Sequence, residues 1–130
     1  MKKILSILLL FSLCVAIACK RSSVCGENVL QTVSDPQPDS GGNRLKAEVV
    51  QVNCGATVDF GIDVRLLRDD GKPLGQGDGA IFSTYRGTPN VSVRWSDSNT
   101  LEVQCPDCKP ENVTLKTVKQ NFTSIKYSFD

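Results

Sequence analysis

The chain has 130 residues, with 15 Lys and Arg, 14 Asp and Glu, six cysteines and no histidine. Its charge is nearly balanced and no stretch is strongly basic, so it lacks the electrostatic basis of nucleic-acid binding. The lack of histidine excludes the commonest general base, the usual catalytic triad and most zinc and copper sites. We therefore expect a single domain that is not an enzyme and holds no cofactor or metal.

Residues 1–18 have the pattern of a helical bacterial signal peptide. Two lysines supply the positive charge near its start, and residues 4–18 are apolar except for two serines. That length suits the apolar segment of a signal peptide and is short for a membrane-spanning anchor. The segment ends in Ala16-Ile17-Ala18 before Cys19, which suits either the ordinary signal peptidase or the lipoprotein peptidase. The leader therefore predicts export of the protein.

Cys19 is the predicted lipidation site. Residues 15–19 resemble a bacterial lipobox, although Ala16 stands where leucine is usual. Cys14 is lost with the leader, so acylation of Cys19 leaves an even number of cysteines that can pair in an oxidising compartment. Those cysteines are Cys25, Cys54, Cys105 and Cys108. We expect a lipidated tether at 19–26 and anchoring in the cell envelope, at the outer membrane or the periplasmic face, with a soluble secreted or periplasmic protein as the alternative.

The first half of the domain contains strand-like segments separated by turns. Residues 29–33 fit either an edge strand or a short helix, and they precede a loop at 34–43 that is rich in turn-forming residues. Residues 45–54 alternate between apolar and polar but change parity near Val49 or Val50. Such a change of parity indicates a β-bulge.

Residues 58–66 show the cleanest two-residue alternation, with apolar side chains on one face and a wet, charged face on the other. The glycines at 75–79 superficially resemble a phosphate-binding loop. They lack the Lys-Ser/Thr ending and the following helix, so we predict a hairpin loop. Residues 91–95 and 101–105 predict a β-hairpin with Trp95 in the core.

The C-terminal part predicts a last pair of strands at 113–118 and 122–129, with alternate apolar residues on one face. No segment shows a convincing helical period. Residues 27–130 therefore predict one all-β domain, a small antiparallel β-sandwich or open barrel of about seven to eight strands.

Cys105-Pro106-Asp107-Cys108 forms a C-x-x-C motif with three interpretations: a redox dithiol, a structural disulfide or part of a Cys₄ zinc site. Redox cysteines react when the first thiolate lies at a helix N-terminus, whereas Cys105 follows a strand pattern and no helical pattern comes after it. An oxidising compartment disfavours zinc and favours disulfides. Among the three pairings open to four cysteines we favour Cys25–Cys54 with Cys105–Cys108.

Short motifs in the middle of the chain occur in a distinctive order. They are Asn53-Cys54-Gly55-Ala56-Thr57, Phe60, Val64, a glycine-rich loop, Ile81-Phe82, Val91-x-Val93-x-Trp95 and Leu101-x-Val103. This order resembles a group of small exported bacterial proteins of unknown function that share a C-G-A-T strand turn and a later V-x-W…L-x-V hairpin. The resemblance covers residues 43–105, and it implies a small, mostly β domain without implying an activity. Cys25, Cys105 and Cys108 are additions in this sequence.

The sequence predicts a non-enzymatic bacterial envelope lipoprotein that binds another envelope or secreted protein, with neutralisation of a toxin as one form of that role. The membrane is an expected partner through the N-terminal lipid, and nucleic acid is not. A thiol–disulfide oxidoreductase that uses Cys105 and Cys108 is the alternative function. A purely structural role in assembly would produce the same sequence pattern as the binding role.

Overall fold

The computed structural model describes residues 25–38, 42–55, 60–75 and 77–129. Across these residues the protein is a β-sandwich of two sheets without an α-helix, which confirms the predicted all-β fold as a sandwich. No helix among them is long and apolar enough to cross a membrane. The predicted signal peptide, the lipidation site Cys19 and the tether before Cys25 lie outside the described residues.

Nine strands and one short 3₁₀-helix are present in the described ranges. The strands are β1 (Gly26–Ser34), β2 (Leu45–Asn53), β3 (Gly61–Arg68), β4 (Ala80–Tyr85), β5 (Ser92–Asp97), β6 (Thr100–Gln104), β7 (Val113–Lys116), β8 (Lys119–Gln120) and β9 (Thr123–Ser128). The 3₁₀-helix is Pro110–Asn112. Sheet 1 has the order β1-β2-β3-β4-β7, and sheet 2 has the order β5-β6-β9-β8.

The core lies between the two sheets. The alternation predicted at 58–66 is confirmed for β3, where Ile62, Val64 and Leu66 are fully buried. Phe60 lies just before the strand and is exposed, and Val58 falls outside the described residues. The inward side chains of β3 belong to one hydrophobic cluster with residues of sheet 2. The residues that sheet 2 contributes include Val93, Leu101, Val103 and Ile125.

The predicted last hairpin is wrong. β7 does not pair with β9; it pairs with β4 at the edge of sheet 1. The strand that pairs antiparallel with β9 is the two-residue β8. β9 instead pairs with β6, and the two strands are parallel. The crossing is fixed by backbone bonds, because Thr117 N donates to Ile81 O of sheet 1 and Ile125 N donates to Val118 O. The Tyr127 hydroxyl also contacts the carbonyl of Thr117, 2.5 Å away.

The parity change in β2 lies where the sequence predicts it, but the extra residue belongs to β1. Val29 pairs with Val50 and Gln31 pairs with Val49, which leaves Leu30 as the bulged residue. β2 keeps an unbroken register with β3, so Val49 and Val50 point to opposite faces of sheet 1. Both are fully buried, which requires that both faces of sheet 1 be covered at this point.

β1 is an edge strand, which resolves the alternative that the sequence leaves open for residues 29–33. The Gln31 side chain pairs with both backbone groups of Val93: Nε2 donates to Val93 O at 3.1 Å, and Val93 N donates to Oε1 at 3.0 Å. Trp95 is half-buried against the core and donates from Nε1 to Val33 O at 3.1 Å. These bonds fasten the β1 edge of sheet 1 to the β5 edge of sheet 2.

The strand registers place the loops at two ends of the sandwich. One end, which we call the disulfide end, holds the start of β1, the end of β2 and the start of β3, since Gly26 pairs with Asn53 and Val52 pairs with Gly61. The other end, which we call the opposite end, holds the end of β1 and the pair Leu45–Arg68. Sheet 2 follows the same division because Ser92 and Gln104 pair at one end and Asp97 and Thr100 at the other.

Candidate binding cavity

A cavity of about 670 Å³ opens at the opposite end, between the ends of the two sheets. Its walls come from the loop after β1, the ends of β2 and β3, the β5–β6 turn and the β8–β9 turn. The lining mixes apolar side chains with carboxylate, guanidinium and amide groups. Its lining residues include Asp35, Gln37, Leu45, Arg68, Leu74, Asn99, Asn121 and Phe122.

Asp35 is the most deeply buried charged residue of this cavity, with 3% of its surface exposed. Its backbone N donates to Leu45 O at 2.8 Å, and its Oδ1 accepts a bond from Gln37 N at 2.9 Å. Burial raises the pKa of Asp35 above its ordinary value, against the opposing effects of the Gln37 N–H and of the nearby positive charge of Arg44. The hydrogen bonds hold the Asp35 carboxylate in place, although burial makes its charged form less stable. A cationic or hydrogen-bond-donating group that entered the cavity would stabilise that charged form.

Phe122 lies at the rim of the cavity with 89% of its surface exposed. Gln120 pairs with Thr123, so Asn121 and Phe122 form the two-residue connection between β8 and β9. Asn121 adopts φ 53°, the left-handed conformation that such tight hairpins favour and that Asn tolerates well. Thr123 is buried next to it, so the alternation of β9 turns Phe122 outward. A large aromatic ring in contact with water beside a cavity is a common anchor for a partner.

Leu74 and Leu45 form the apolar part of the cavity lining. Leu74 is held by a backbone bond from its N to Leu66 O at 3.0 Å, and it belongs to the core cluster. The turn of Ser98 and Asn99 is fixed in turn by a bond from Ser124 N to Asn99 O at 2.8 Å. The cavity is thus built on backbone segments bonded to the two sheets, which pre-organises it for a ligand.

Both favoured cysteine pairs are at disulfide distance, and both lie at the disulfide end. Cys25 and Cys54 have Cα atoms 4.2 Å apart, and Cys105 and Cys108 have Cα atoms 5.3 Å apart. Cys105 is fully buried, and its backbone N donates to Ser128 O at 2.8 Å. Cys108 is half-buried and lines a separate cavity of about 260 Å³. No α-helix begins at Cys105, so the motif lacks the helix N-terminus that makes such thiols acidic.

The charged face predicted for β3 is only partly exposed to solvent. The Arg65 guanidinium binds the Glu27 carboxylate through two bonds, at 2.7 and 2.9 Å, and reaches Asp63 and Asp78 at 3.5 and 3.3 Å. The hydrogen bonds from Arg65 lower the pKa of Glu27. Val50 lies on the same face between β1 and β3 and is fully buried. The Arg65 cluster therefore joins β1 to β3 across β2, on the face where Val50 is buried. This is a structural role.

A third cavity, of about 470 Å³, lies beside the β1 bulge, with Leu30, Pro89 and Val91 among its lining residues. Its polar groups include Gln31, whose amide is already paired with Val93. Across the residues that the structure describes, no group of three or more Cys, Asp or Glu side chains could hold a metal ion. The opposite-end cavity therefore offers the most varied chemistry.

No family model, no curated protein and no solved structure matches the chain. The resemblance to small exported bacterial proteins stays a prediction.

No pattern in the sequence predicts the cavity. Asp35 lies in a loop for which the sequence predicts only turns. Its position is held by a backbone hydrogen bond to Leu45, ten residues later, which a local pattern does not reveal. Phe122 carries a signal that could have been used, because the alternation that buries Ile125 assigns Phe122 to the other face. Trp95, which the sequence predicts to be a core residue, packs against the core.

Proposed function

We propose that this protein is a non-enzymatic lipoprotein of the bacterial envelope that binds another envelope or secreted protein through the cavity at the opposite end. The observation that carries the proposal is the pairing of a fully solvated aromatic ring, Phe122, with a pre-organised cavity that has the buried carboxylate of Asp35 in its wall. Hot spots of protein interfaces combine an aromatic anchor with such a neighbouring pocket.

The chemistry of the cavity favours a partner with a basic side chain. Acidic residues outnumber basic ones in the loops of this end, and the buried carboxylate has no guanidinium or ammonium group in direct contact among the described ion pairs. The basic residues of these loops and of the strand ends beside them are Arg44, Arg68, Lys72 and Lys119, and the acidic ones are Asp35, Asp69, Asp70, Asp78 and Asp97. A lysine or arginine of the partner would pair with Asp35 while its aliphatic part contacts Leu45 and Leu74.

The position of the cavity fits an anchored protein. The described chain begins with Cys25 at the disulfide end, and the cavity lies at the other end of the strands. A strand of eight residues is about 26 Å long. A lipid at Cys19 would thus hold one end of the sandwich at the membrane and leave the cavity available to proteins of the surrounding compartment, a toxin included.

The test compares Phe122→Ser with Val118→Ser, an exposed apolar residue that does not line the cavity. Each protein is cross-linked in the envelope, solubilised and captured. The proposal requires a stoichiometric partner that the wild type and Val118→Ser retain and Phe122→Ser loses. A partner retained by Phe122→Ser overturns the role of the cavity, and repeated capture without any stoichiometric partner overturns the binding function. Intact-mass measurement of the same samples reports whether Cys19 carries the acyl groups.

The redox alternative has one favourable observation: the half-buried Cys108 and Arg86 line the same small cavity at the disulfide end. A nearby cation would stabilise a Cys108 thiolate after reduction. The alternative predicts that Cys108 is alkylated at neutral pH in mild reductant while Cys25 and Cys54 are not. Resistance of both Cys105 and Cys108 to alkylation under those conditions would eliminate it.

A further inference from the structure

We propose that the disulfide end docks against the surface of the membrane that holds the protein, through Phe60, Tyr85 and Arg86. The inference rests on the proposed lipid at Cys19 and goes beyond it. A lipid alone fixes the position of residue 19, whereas docking fixes which face of the sandwich the bilayer contacts and which face the compartment.

The chain between the lipid and the fold is short. Only residues 20–24 separate Cys19 from Cys25, the first described residue. Fully extended, the chain from Cys19 to Cys25 spans about 20 Å. Cys25 is tied to Cys54, so the end of β2 is drawn to the membrane together with the start of β1. The disulfide end is therefore the part of the sandwich that lies within reach of the headgroups.

The exposed side chains at this end have the chemistry of a membrane interface. Phe60 and Tyr85 are 42% and 39% exposed, and they lie close in the fold because Phe60 directly precedes Gly61, which pairs with Tyr85. The Arg86 guanidinium lies 5.4 Å from the centroid of the Tyr85 ring. Exposed aromatic rings beside a cation are the combination that settles at the boundary between headgroups and acyl chains.

The two ends of the sandwich also differ in charge. Arg86 and Lys109 line the same small cavity at the disulfide end, together with Asp107, and Glu111 follows close by. These four residues are balanced in charge, and the tether sequence adds Lys20 and Arg21. The opposite end carries the excess of acidic residues described above. An anionic bilayer therefore favours the disulfide end, which the two tether cations adjoin, over the more acidic opposite end.

The test places a tryptophan at each end of the lipidated protein. Phe60→Trp reports on the disulfide end, and Phe122→Trp is its matched control at the opposite end, since both replace an exposed phenylalanine. Trp95 is half-buried and gives the same background in both. Each protein is reconstituted into vesicles of phosphatidylcholine and phosphatidylglycerol whose acyl chains carry bromine, which quenches tryptophan on contact.

Docking predicts that Phe60→Trp loses emission on brominated vesicles and shifts to shorter wavelength, while Phe122→Trp does neither. A second variant, Phe60→Trp with Arg86→Gln and Lys109→Gln, is expected to recover emission on the anionic vesicles. Equal emission of the two tryptophans in protein that sediments with the vesicles and carries the acyl mass would overturn docking and leave the lipid anchor standing. An unmodified Cys19 in the mass spectrum would instead remove the anchor, and the docking inference with it. Protection of Phe60→Trp by added envelope proteins but not by lipid would assign this face to a protein and overturn the membrane as its occupant.

Discussion

The two ends of the sandwich are built in different ways. At the disulfide end, two covalent pairs fix the start of β1 to the end of β2 and close the turn after β6. At the opposite end no disulfide is present among the described residues, and the loops are held by backbone bonds such as Asp35 N to Leu45 O and Leu74 N to Leu66 O. One end therefore resists separation of its strands, while the other supports a cavity with covalently independent loops.

This difference indicates a division of labour. Cross-links are placed where the chain emerges from the fold and where a tether would pull on it. The larger cavity, the buried carboxylate and the most exposed aromatic side chain of the described residues are placed where no cross-link joins the loops. The predictions that follow test whether the two ends are as different in energy as they are in construction.

Loss of the Cys25–Cys54 pair is expected to have the largest effect. Its cysteines are 29 residues apart, so the double replacement by alanine lowers the free energy of unfolding by about 3.5 kcal/mol in the chain-entropy model. The Cys105–Cys108 pair encloses a much shorter loop, and its removal is expected to cost about 2 kcal/mol. Urea unfolding of the purified variants measures both values, and wild type in reductant serves as the reference. An equal or reversed order of the two costs would contradict the model.

Gly79→Ala tests the loop before β4 at the opposite end. Gly79 has φ +82°, and a Cβ there would lie 2.5 Å from Leu66 O, whose residue also donates from its N to Gly79 O. We expect a loss of about 3 kcal/mol in the free energy of unfolding, from backbone strain and a clash with backbone. Gly77→Ala is the matched control. Its φ is +68° and a Cβ would meet nothing within 4 Å, so the strain alone costs about 1 kcal/mol. Similar costs for the two variants would show that this loop moves freely.

The smallest effect is a difference in pH dependence between Asp35 and Glu27. Burial raises the pKa of Asp35 above 3.8, so folding favours its protonated form, and its contribution to stability falls as the pH rises through the folded value. The bonds from Arg65 lower the pKa of Glu27 below 4.5, so its contribution is present above that value and is lost as the pH falls through the folded one. Relative to wild type, Asp35→Asn should gain stability from acid to neutral pH and Glu27→Gln should lose it. Parallel stability curves for wild type and both variants would contradict these shifts.

The fold class follows from the sequence because alternation is a local signal. The strict pattern in β3 and the hairpin of β5 and β6 appear in the structure as the sequence predicts. The β-bulge is a feature that the local pattern predicts only in part. The parity of β2 identifies the position, but the extra residue is Leu30 of β1, and only the pairing of two distant segments reveals that.

The assignment of strands to sheets could not be read from the sequence. The segments 113–118 and 122–129 are close in the chain and both alternate, which favours a hairpin, yet β7 bonds to β4 and β9 bonds to β6. These choices depend on the edges that β4 and β6 offer in the assembled sheets, which a local pattern does not reveal. The cavity depends on the same arrangement, since its walls come from both sheets.

The parallel pairing of β6 and β9 has a consequence for when the protein can fold. β9 is the last strand of the described chain, yet it lies inside sheet 2 with Ile125 in the core. Before β9 has been synthesised, sheet 2 lacks an inner strand. The contacts that complete the sheet join β9 to β6, which is more than 20 residues earlier in the chain. Such non-local contacts form slowly, and these cannot form before β9 has been synthesised. Late completion of sheet 2 would suit the proposed export, in which the chain crosses a membrane before it folds.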